Sequence, residues 1–309
     1  MVVWIDAPKG YDLLLSVHSW VYPDVQPVPE TTSRDVVRRV MRVDASDVAV
    51  TLGQARPGAK LSLVHSPCAS TTHLRQRIRW VTGTEIDIEP ALELLRSDPI
   101  TSSFVDFISG IRPYSTDTVF EGLMKAVIQQ QVSYRAANVL TARLVSLVGR
   151  HLKFGEDNHY GFPTAEDIAS LQLRQLRAIG LGFKAAYLRN LSRLVMAGDL
   201  DLEQLVNVAY DEVAEILKPI RGIGEWTTQA LAIASLHKFE VFPYSDIGIR
   251  NLMGRLYNKG IRLSGNEIRS KAESWGNFGG LALYLLMCAD VLGLAGAGSR
   301  KRIKAKERS

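Results

Sequence analysis

IRGIGEWTT at residues 220–228, followed by VFPYSDIGIR at 241–250, is the stretch on which the reading of this chain turns. Upstream, residues 211–218 carry Val213, Ile216 and Leu217 at helical spacing, and Pro219 ends that run because it has no backbone N–H to give. Gly222 and Gly224 supply a tight turn and a close backbone approach that a side chain would block. From Glu225 the positions Trp226, Ala230, Ile233 and His237 follow a helical repeat, which predicts a second helix. Its first amides have no partner within the helix and sit at the positive end of its dipole, which suits a phosphate. Asp246 then opens a further helix marked by Ile249, Leu252, Met253 and Leu256. A Gly-x-Gly turn by itself fits a packing corner better than a phosphate site, and an Asp by itself fits a helix cap better than a catalytic role. The two together carry the inference of a backbone grip on phosphate beside one carboxylate. IGLGFKAA at 179–186 also has two glycines before a helix, but no lone acidic residue follows, so it is read as a packing turn.

IRGIGEWTTQALAIASL and FPYSDIGIR resemble the helix-hairpin-helix and catalytic aspartate of the DNA glycosylase superfamily, most closely its AlkA type, the 3-methyladenine DNA glycosylase II family. VIQQQVSYRAA at 127–137 and the segment 162–191, with FPTAEDIA and LRAIGLGFKAAYLRNL, agree with it. The resemblance runs from about Asp117 to Leu292 and is weak over the first hundred or so residues. It implies that Asp246 stabilises the positive charge that builds on the sugar as a base departs, and orients or deprotonates the attacking water. A helix N-terminus favours the ionised carboxylate this requires, so capping and catalysis are compatible.

The same resemblance implies a pocket for a base extruded from the duplex, walled by Trp226 and Phe278 with Trp275 and Tyr244 nearby. Electron-rich rings there suit cationic alkylated purines. Gln131, in QQQVS at 129–133, falls at the position that fills the vacated space in the duplex. Gly222, Gly224, Thr227 and Arg250 are expected on the DNA. A monovalent cation, sodium or potassium, is implied on the carbonyls of Lys218, Ile220 and Ile223, with no other cofactor required. The chain departs from the family pattern where Ala230 and Ile247 replace tyrosines, and where Asn277 and Gly279 replace Pro and Arg in WGNFGGLA at 275–282. A wider or less cation-selective pocket is therefore expected. Members that also nick the strand carry a Schiff-base lysine at the second position after the Gly-x-Gly. That position is Trp226 here, and Lys238 is the sole lysine between Gly222 and Asp246. An enzyme that leaves an intact abasic strand is expected.

Composition narrows the alternatives. A chain of 309 residues with 46% hydrophobic residues can bury a sizeable core, most simply in two domains. The net charge of +5 suits an anionic partner, but Arg300, Lys301, Arg302, Lys304, Lys306 and Arg308 against Glu307 already account for it. The remaining body is near neutral, so a DNA-binding face must be a local patch, with Lys218, Arg221, Arg250 and Arg255 as candidates. Cys68 and Cys288 are the sole cysteines, which excludes the iron–sulfur branch of the superfamily, whose cluster needs four. MVVWIDAPKG lacks a signal-peptide pattern, giving an expectation of an intracellular protein of the cytoplasm or nucleoid. Residues 279–298 have the length of a membrane span, but Asp290 interrupts them at a cost of about 3 kcal/mol in hydrocarbon, so a core helix is expected.

The fold class expected is α+β: an N-terminal antiparallel sheet domain over 1–113, then an all-helical helix-hairpin-helix body over 114–298, then a basic, disordered tail over 299–309. Val- and Leu-rich stretches at 12–20, 36–52 and 60–65 read as strands, residues 89–95 as a helix, and residues 119–148, 165–179 and 184–197 as long helical periodicities. The expected partner is double-stranded DNA holding a damaged base, bound by a monomer with no membrane attachment. Two rivals stand beside the alkylated-purine enzyme: a glycosylase for hypoxanthine, uracil or 8-oxoguanine, and a noncatalytic helix-hairpin-helix DNA-binding protein.

Overall fold

In the computed structural model, which describes residues 2–295, the chain opens with β1 (Val3–Ile5) and helix α1 (Leu13–His18). Strands β2 (Thr31–Ser33), β3 (Val36–Val43), β4 (Ser46–Gln54) and β5 (Leu61–His65) complete an antiparallel sheet of order β1-β5-β4-β3-β2. The expected single stretch 36–52 is two strands. Asp44 and Ala45 both take left-handed φ, of 47° and 63°, the geometry of a tight hairpin turn, and Val43 pairs with Ser46 across it. The strand expected over 12–20 is a helix instead. The Asp12 side chain accepts from the Leu15 amide 2.9 Å away, and Leu13, Ser16 and Val17 form a buried helical face. A further helix, α2 (Thr71–Thr82), capped by Ser70, was not legible from the pattern. Leu13, Val17, Leu74 and Ile78 join Val37, Met41, Val50 and Leu63 in one core, so α1 and α2 cover the sheet.

Helix α3 (Glu89–Ser97) leads to the body. There follow α4 (Val119–Gln129), α5 (Tyr134–Val148), a hairpin of β6 (Arg150–Phe154) and β7 (Asp157–Gly161), α6 (Ala165–Ser170), α7 (Leu173–Leu176) and α8 (Lys184–Ala197). Then come α9 (Tyr210–Leu217), α10 (Glu225–Ser235), α11 (Ile247–Tyr257), α12 (Gly265–Ser274) and α13 (Gly279–Val291). The body is thus helical apart from the β6–β7 hairpin, which leans on the outer face of β3 and β4. Thr51 Oγ1 meets His159 Nε2 at 2.9 Å, and Arg38 pairs with Asp157 at 3.0 Å.

Core membership divides the molecule differently from the sequence boundary near Arg112 and Pro113. Ile88, Leu92, Leu95 and Ile108 pack with Leu252, Met253, Leu283 and Leu286. Residues 88–111 therefore share a core with the C-terminal helices, and α4 to α10 enclose a separate one. Between residues 179 and 186, Gly180 and Gly182 have φ of 101° and 55°. A Cβ on Gly180 would stand 3.0 Å from Leu140 Cδ2 on α5, a close approach of chain segments.

Helix α13 is buried on nearly every side, as Leu281, Leu283, Leu285 and Leu286 at or near zero exposure require. No helix among the described residues is long and apolar enough to cross a membrane. The basic tail over 299–309 lies outside the described residues.

Candidate active site

Helices α9 and α10 and the turn between them form the predicted hairpin. Gly222 has φ of 97°, and a Cβ there would stand 2.6 Å from the Tyr187 ring. Its glycine is required by conformation and by packing against Tyr187. Gly224 is different. Its φ is −110°, it caps the exposed start of α10, and a Cβ there would meet nothing within 4 Å. Gly224→Ala therefore places a methyl in the open space where a phosphate would reach the α10 amides. The expected result is an unchanged melting temperature with affinity for duplex DNA lowered about three- to tenfold, equally for all sequences. Gly222→Ala is expected to lower the melting temperature, so it cannot report on DNA contact. Sequence-selective weakening in Gly224→Ala would overturn the reading.

Asp246 is the N-cap of α11. Its Oδ1 accepts from the amides of Gly248 at 2.7 Å and Ile249 at 3.1 Å. Its Oδ2 accepts from Trp226 Nε1 at 2.8 Å. The indole of α10 thus fixes the carboxylate of α11 from the other side, so one conformation both caps α11 and holds the carboxylate beside Trp226. Asp246 and Trp226 line a cavity of about 1140 Å³ that also reaches the N-terminal domain. Ala230 and the 58% exposed Ile247 line it as well.

The other expected walls lie elsewhere. Trp275 is packed in the C-terminal core, with Lys271 Nζ 5.0 Å from its ring. Tyr244 lies at the edge of that core under the Arg269 guanidinium. Phe278 is 42% exposed. None of the three lines the cavity. Gly276 takes a φ of 66° at the start of the short 3₁₀ segment Gly276–Phe278, and a Cβ on Gly279 would stand 2.2 Å from the Ala272 carbonyl oxygen. The departures at Asn277 and Gly279 thus fall in a short 3₁₀ turn and at its junction with α13.

Aromatic walls come instead from residues that sequence reading missed. Trp20 and Tyr22, just after α1, face Tyr134 at the start of α5, with ring centroids 5.6 and 6.0 Å apart. Tyr134 also donates to the Trp20 carbonyl at 2.6 Å, and Trp20 Nε1 donates to the buried Tyr284 hydroxyl. All three of Trp20, Tyr22 and Tyr134 line the cavity. Sequence offered no signal for this, because the pairing spans more than a hundred residues of chain.

Gln131 is exposed at the cavity rim with φ of 56°, in the turn between α4 and α5. Its neighbour Gln130 ties that turn to the hairpin, its Nε2 donating to the Gly222 carbonyl at 2.7 Å and to Thr227 Oγ1 at 2.9 Å. Thr227 is buried and holds Gln130, and it does not face solvent. Arg250 donates to the Leu263 carbonyl at 2.8 Å, Lys218 pairs with Glu225, and Arg255 pairs with Asp290. Of the expected basic patch, Arg221 is exposed and has no ion pair among the described residues. The patch expected from sequence is largely spent on internal bonds.

Residues 124–277 match the family described as HhH-GPD superfamily base excision DNA repair protein. YfjP of Bacillus subtilis is 31% identical over 159 residues, which are 51% of this chain and 54% of that protein. The DNA-3-methyladenine glycosylase of the same organism is 26% identical over 201 residues, 65% of this chain and 66% of that one. The matches therefore span between half and two thirds of these relatives. The solved 3-methyladenine DNA glycosylase of Archaeoglobus fulgidus superposes with a TM-score of 0.83 at 26% identity, covering 94% of this chain and 98% of that one. Through residues 124–277, with the hairpin and Asp246 among them, this chain belongs to the HhH-GPD superfamily of base excision DNA repair proteins.

Proposed function

We propose that this protein is a DNA glycosylase that takes a damaged purine into the cavity beside Asp246, hydrolyses the bond joining it to the sugar, and leaves an abasic strand uncut. The observation that carries this reading is the Asp246 carboxylate. It is fixed by α11 amides on one oxygen and by Trp226 on the other, at the wall of a cavity large enough for a base. As the C1′–N bond lengthens, the sugar gains positive charge, and a carboxylate held in place stabilises it without reorganising. The same carboxylate receives the proton of the water that adds to C1′. Trp226, Trp20 and Tyr22 offer ring faces on which an alkylated purine stacks. Helix α10 presents its free amides to a phosphate, and Gln131 stands at the rim to fill the gap in the duplex.

The hairpin also fits a monovalent cation in part. Among the described residues the Lys218 and Ile223 carbonyls accept no backbone hydrogen bond, whereas the Ile220 carbonyl accepts from the Ile223 amide at 3.0 Å. A cation held there would add charge for phosphate binding.

Absence of strand cleavage rests on where the lysines lie. Trp226 occupies the position of the imine-forming residue. Lys184 is buried outside the cavity, its Nζ donating 2.6 Å to the Ile128 carbonyl. Lys238 reaches the Val206 carbonyl at 3.4 Å. Lys125 does line the cavity, but its Nζ is bound to Glu121 at 2.6 Å. A set of duplexes, each with one alkylated purine, hypoxanthine, uracil or 8-oxoguanine, tests the reading. Release of free base is expected, with strands that break on alkaline treatment alone and no borohydride cross-link. A trapped protein–DNA species would place this chain with the strand-nicking members. Duplex binding without base release from any lesion would leave the noncatalytic binder.

A further inference from the structure

Lys125 has no part in the mechanism above, yet it is the one lysine or arginine among the described residues lining the cavity. It stands on the inward face of α4, with its side chain 26% exposed. One N–H direction is taken by Glu121 Oε1 at 2.6 Å, and Glu30 Oε2 lies 3.7 Å away, buried and without a hydrogen-bond partner. Behind these, the buried Arg39 joins Glu30 at 2.5 Å and Glu121 at 2.7 Å. Two cations and two carboxylates balance, so the group as a whole adds no net charge to the cavity. An ammonium has three donors, and the two carboxylates fix its direction while leaving donor capacity for the cavity.

The chemistry of the leaving base gives that donor a use. When the C1′–N bond breaks, its electron pair goes to the base nitrogen. A cationic alkylated purine departs neutral and needs no help. A neutral purine departs as an anion, until the proton released by the attacking water is delivered to it. Asp246, as the acceptor of three hydrogen bonds, stabilises the sugar and offers nothing to that anion. We infer that Lys125 donates a hydrogen bond to the departing base and thereby extends the cavity's chemistry from cationic to neutral purines. The inference rests on the glycosylase reading above, with Lys125 acting on the leaving group and Asp246 on the sugar.

The test is a ratio of two single-turnover rates, hypoxanthine release over 7-methylguanine release, in the wild type, Lys125→Met and Lys125→Arg. Removing one preorganised donor to a developing anion should lower the ratio about tenfold or more in Lys125→Met, and Lys125→Arg should restore most of it. A structural role would slow both reactions alike and leave the ratio in place, so a ratio within threefold of wild type overturns the proposal. So does a wild type that releases 7-methylguanine but no hypoxanthine. A second measurement does not need turnover: affinity for a duplex containing 2′-fluoro-deoxyinosine, compared with a duplex containing an abasic analogue. Lys125→Met should weaken the first relative to the second, and equal weakening overturns the proposal. If the wild type releases no base yet this binding difference appears, the glycosylase reading fails while the contact between Lys125 and the base stands.

Discussion

Asp246→Asn is expected to lower the single-turnover rate of base release by about 10²- to 10³-fold, the scale of losing one preorganised electrostatic stabiliser. Binding to a duplex with an abasic-site analogue should change less than threefold, because in the proposed mechanism the carboxylate acts on the transition state more than on bound DNA. The local geometry adds a second consequence. Both Asp246 oxygens accept, one from the Gly248 and Ile249 amides and the other from Trp226 Nε1. An asparagine must turn its NH₂ toward one of these donor sets, so either the cap or the indole contact is lost at about 1–3 kcal/mol. The cap is the stronger claim on the amide oxygen, since two backbone donors converge on it. The NH₂ then faces the Trp226 N–H, and a modest fall in melting temperature should accompany the loss of rate. A variant that keeps its wild-type rate would remove Asp246 from the mechanism and leave it as a cap.

Legibility from sequence followed the range of the interaction. The turn at 220–224 and the cap at 246 are set by Pro219, Gly222, Gly224 and Asp246, whose backbone preferences act within a few residues, and these were read in place. Helix α1 was misread because LLLSVHS has too few polar positions to separate a period of two from one of 3.6. Its identity depends on Asp12 as a cap and on a sheet that buries Leu13 and Val17. The aromatic walls were the largest miss. Phe278 was placed by resemblance, but it does not line the cavity, and no local pattern foretold that Trp20 and Tyr22 would line it. The buried charges were equally silent. Arg39 lies on β3 in the series Val37, Arg39, Met41 and Val43, and alternation alone would make it an error in a buried face. Glu30, just before β2, and the approach of α4, bringing Glu121, give that arginine a reason to be inside.

That buried group leads to the second large effect. Arg39→Met is expected to destabilise the fold by about 3–5 kcal/mol, because it strands Glu30 and Glu121 in the interior with Lys125 as their remaining cation. In the wild type, burial pushes the Glu121 carboxyl up, but the Arg39 guanidinium and then Lys125 outweigh it and hold it below the ordinary glutamate range. A carboxyl depressed in the folded state contributes stability that is present above its unfolded pKa and lost as pH falls through the folded value. Wild-type stability should therefore begin to decline as pH drops below about 4.3, the ordinary glutamate value. In Arg39→Met the largest influence holding the Glu121 carboxyl down is lost, and burial, which pushes it up, gains weight. The variant should be least stable relative to wild type near pH 7, and the gap should narrow as pH falls and the Glu121 carboxylate protonates. Chemical denaturation at several pH values reads both trends. Because Arg39 and Glu30 belong to the sheet domain and Glu121 and Lys125 to α4, the same loss should loosen the wall that carries Lys125 into the cavity. A quadruple variant, Arg39→Met with Glu30→Leu, Glu121→Leu and Lys125→Met, removes the charges together and should recover most of the lost stability. If it recovers none, the damage in Arg39→Met came from lost packing of the arginine stem, and the carboxylates were never the source of the cost.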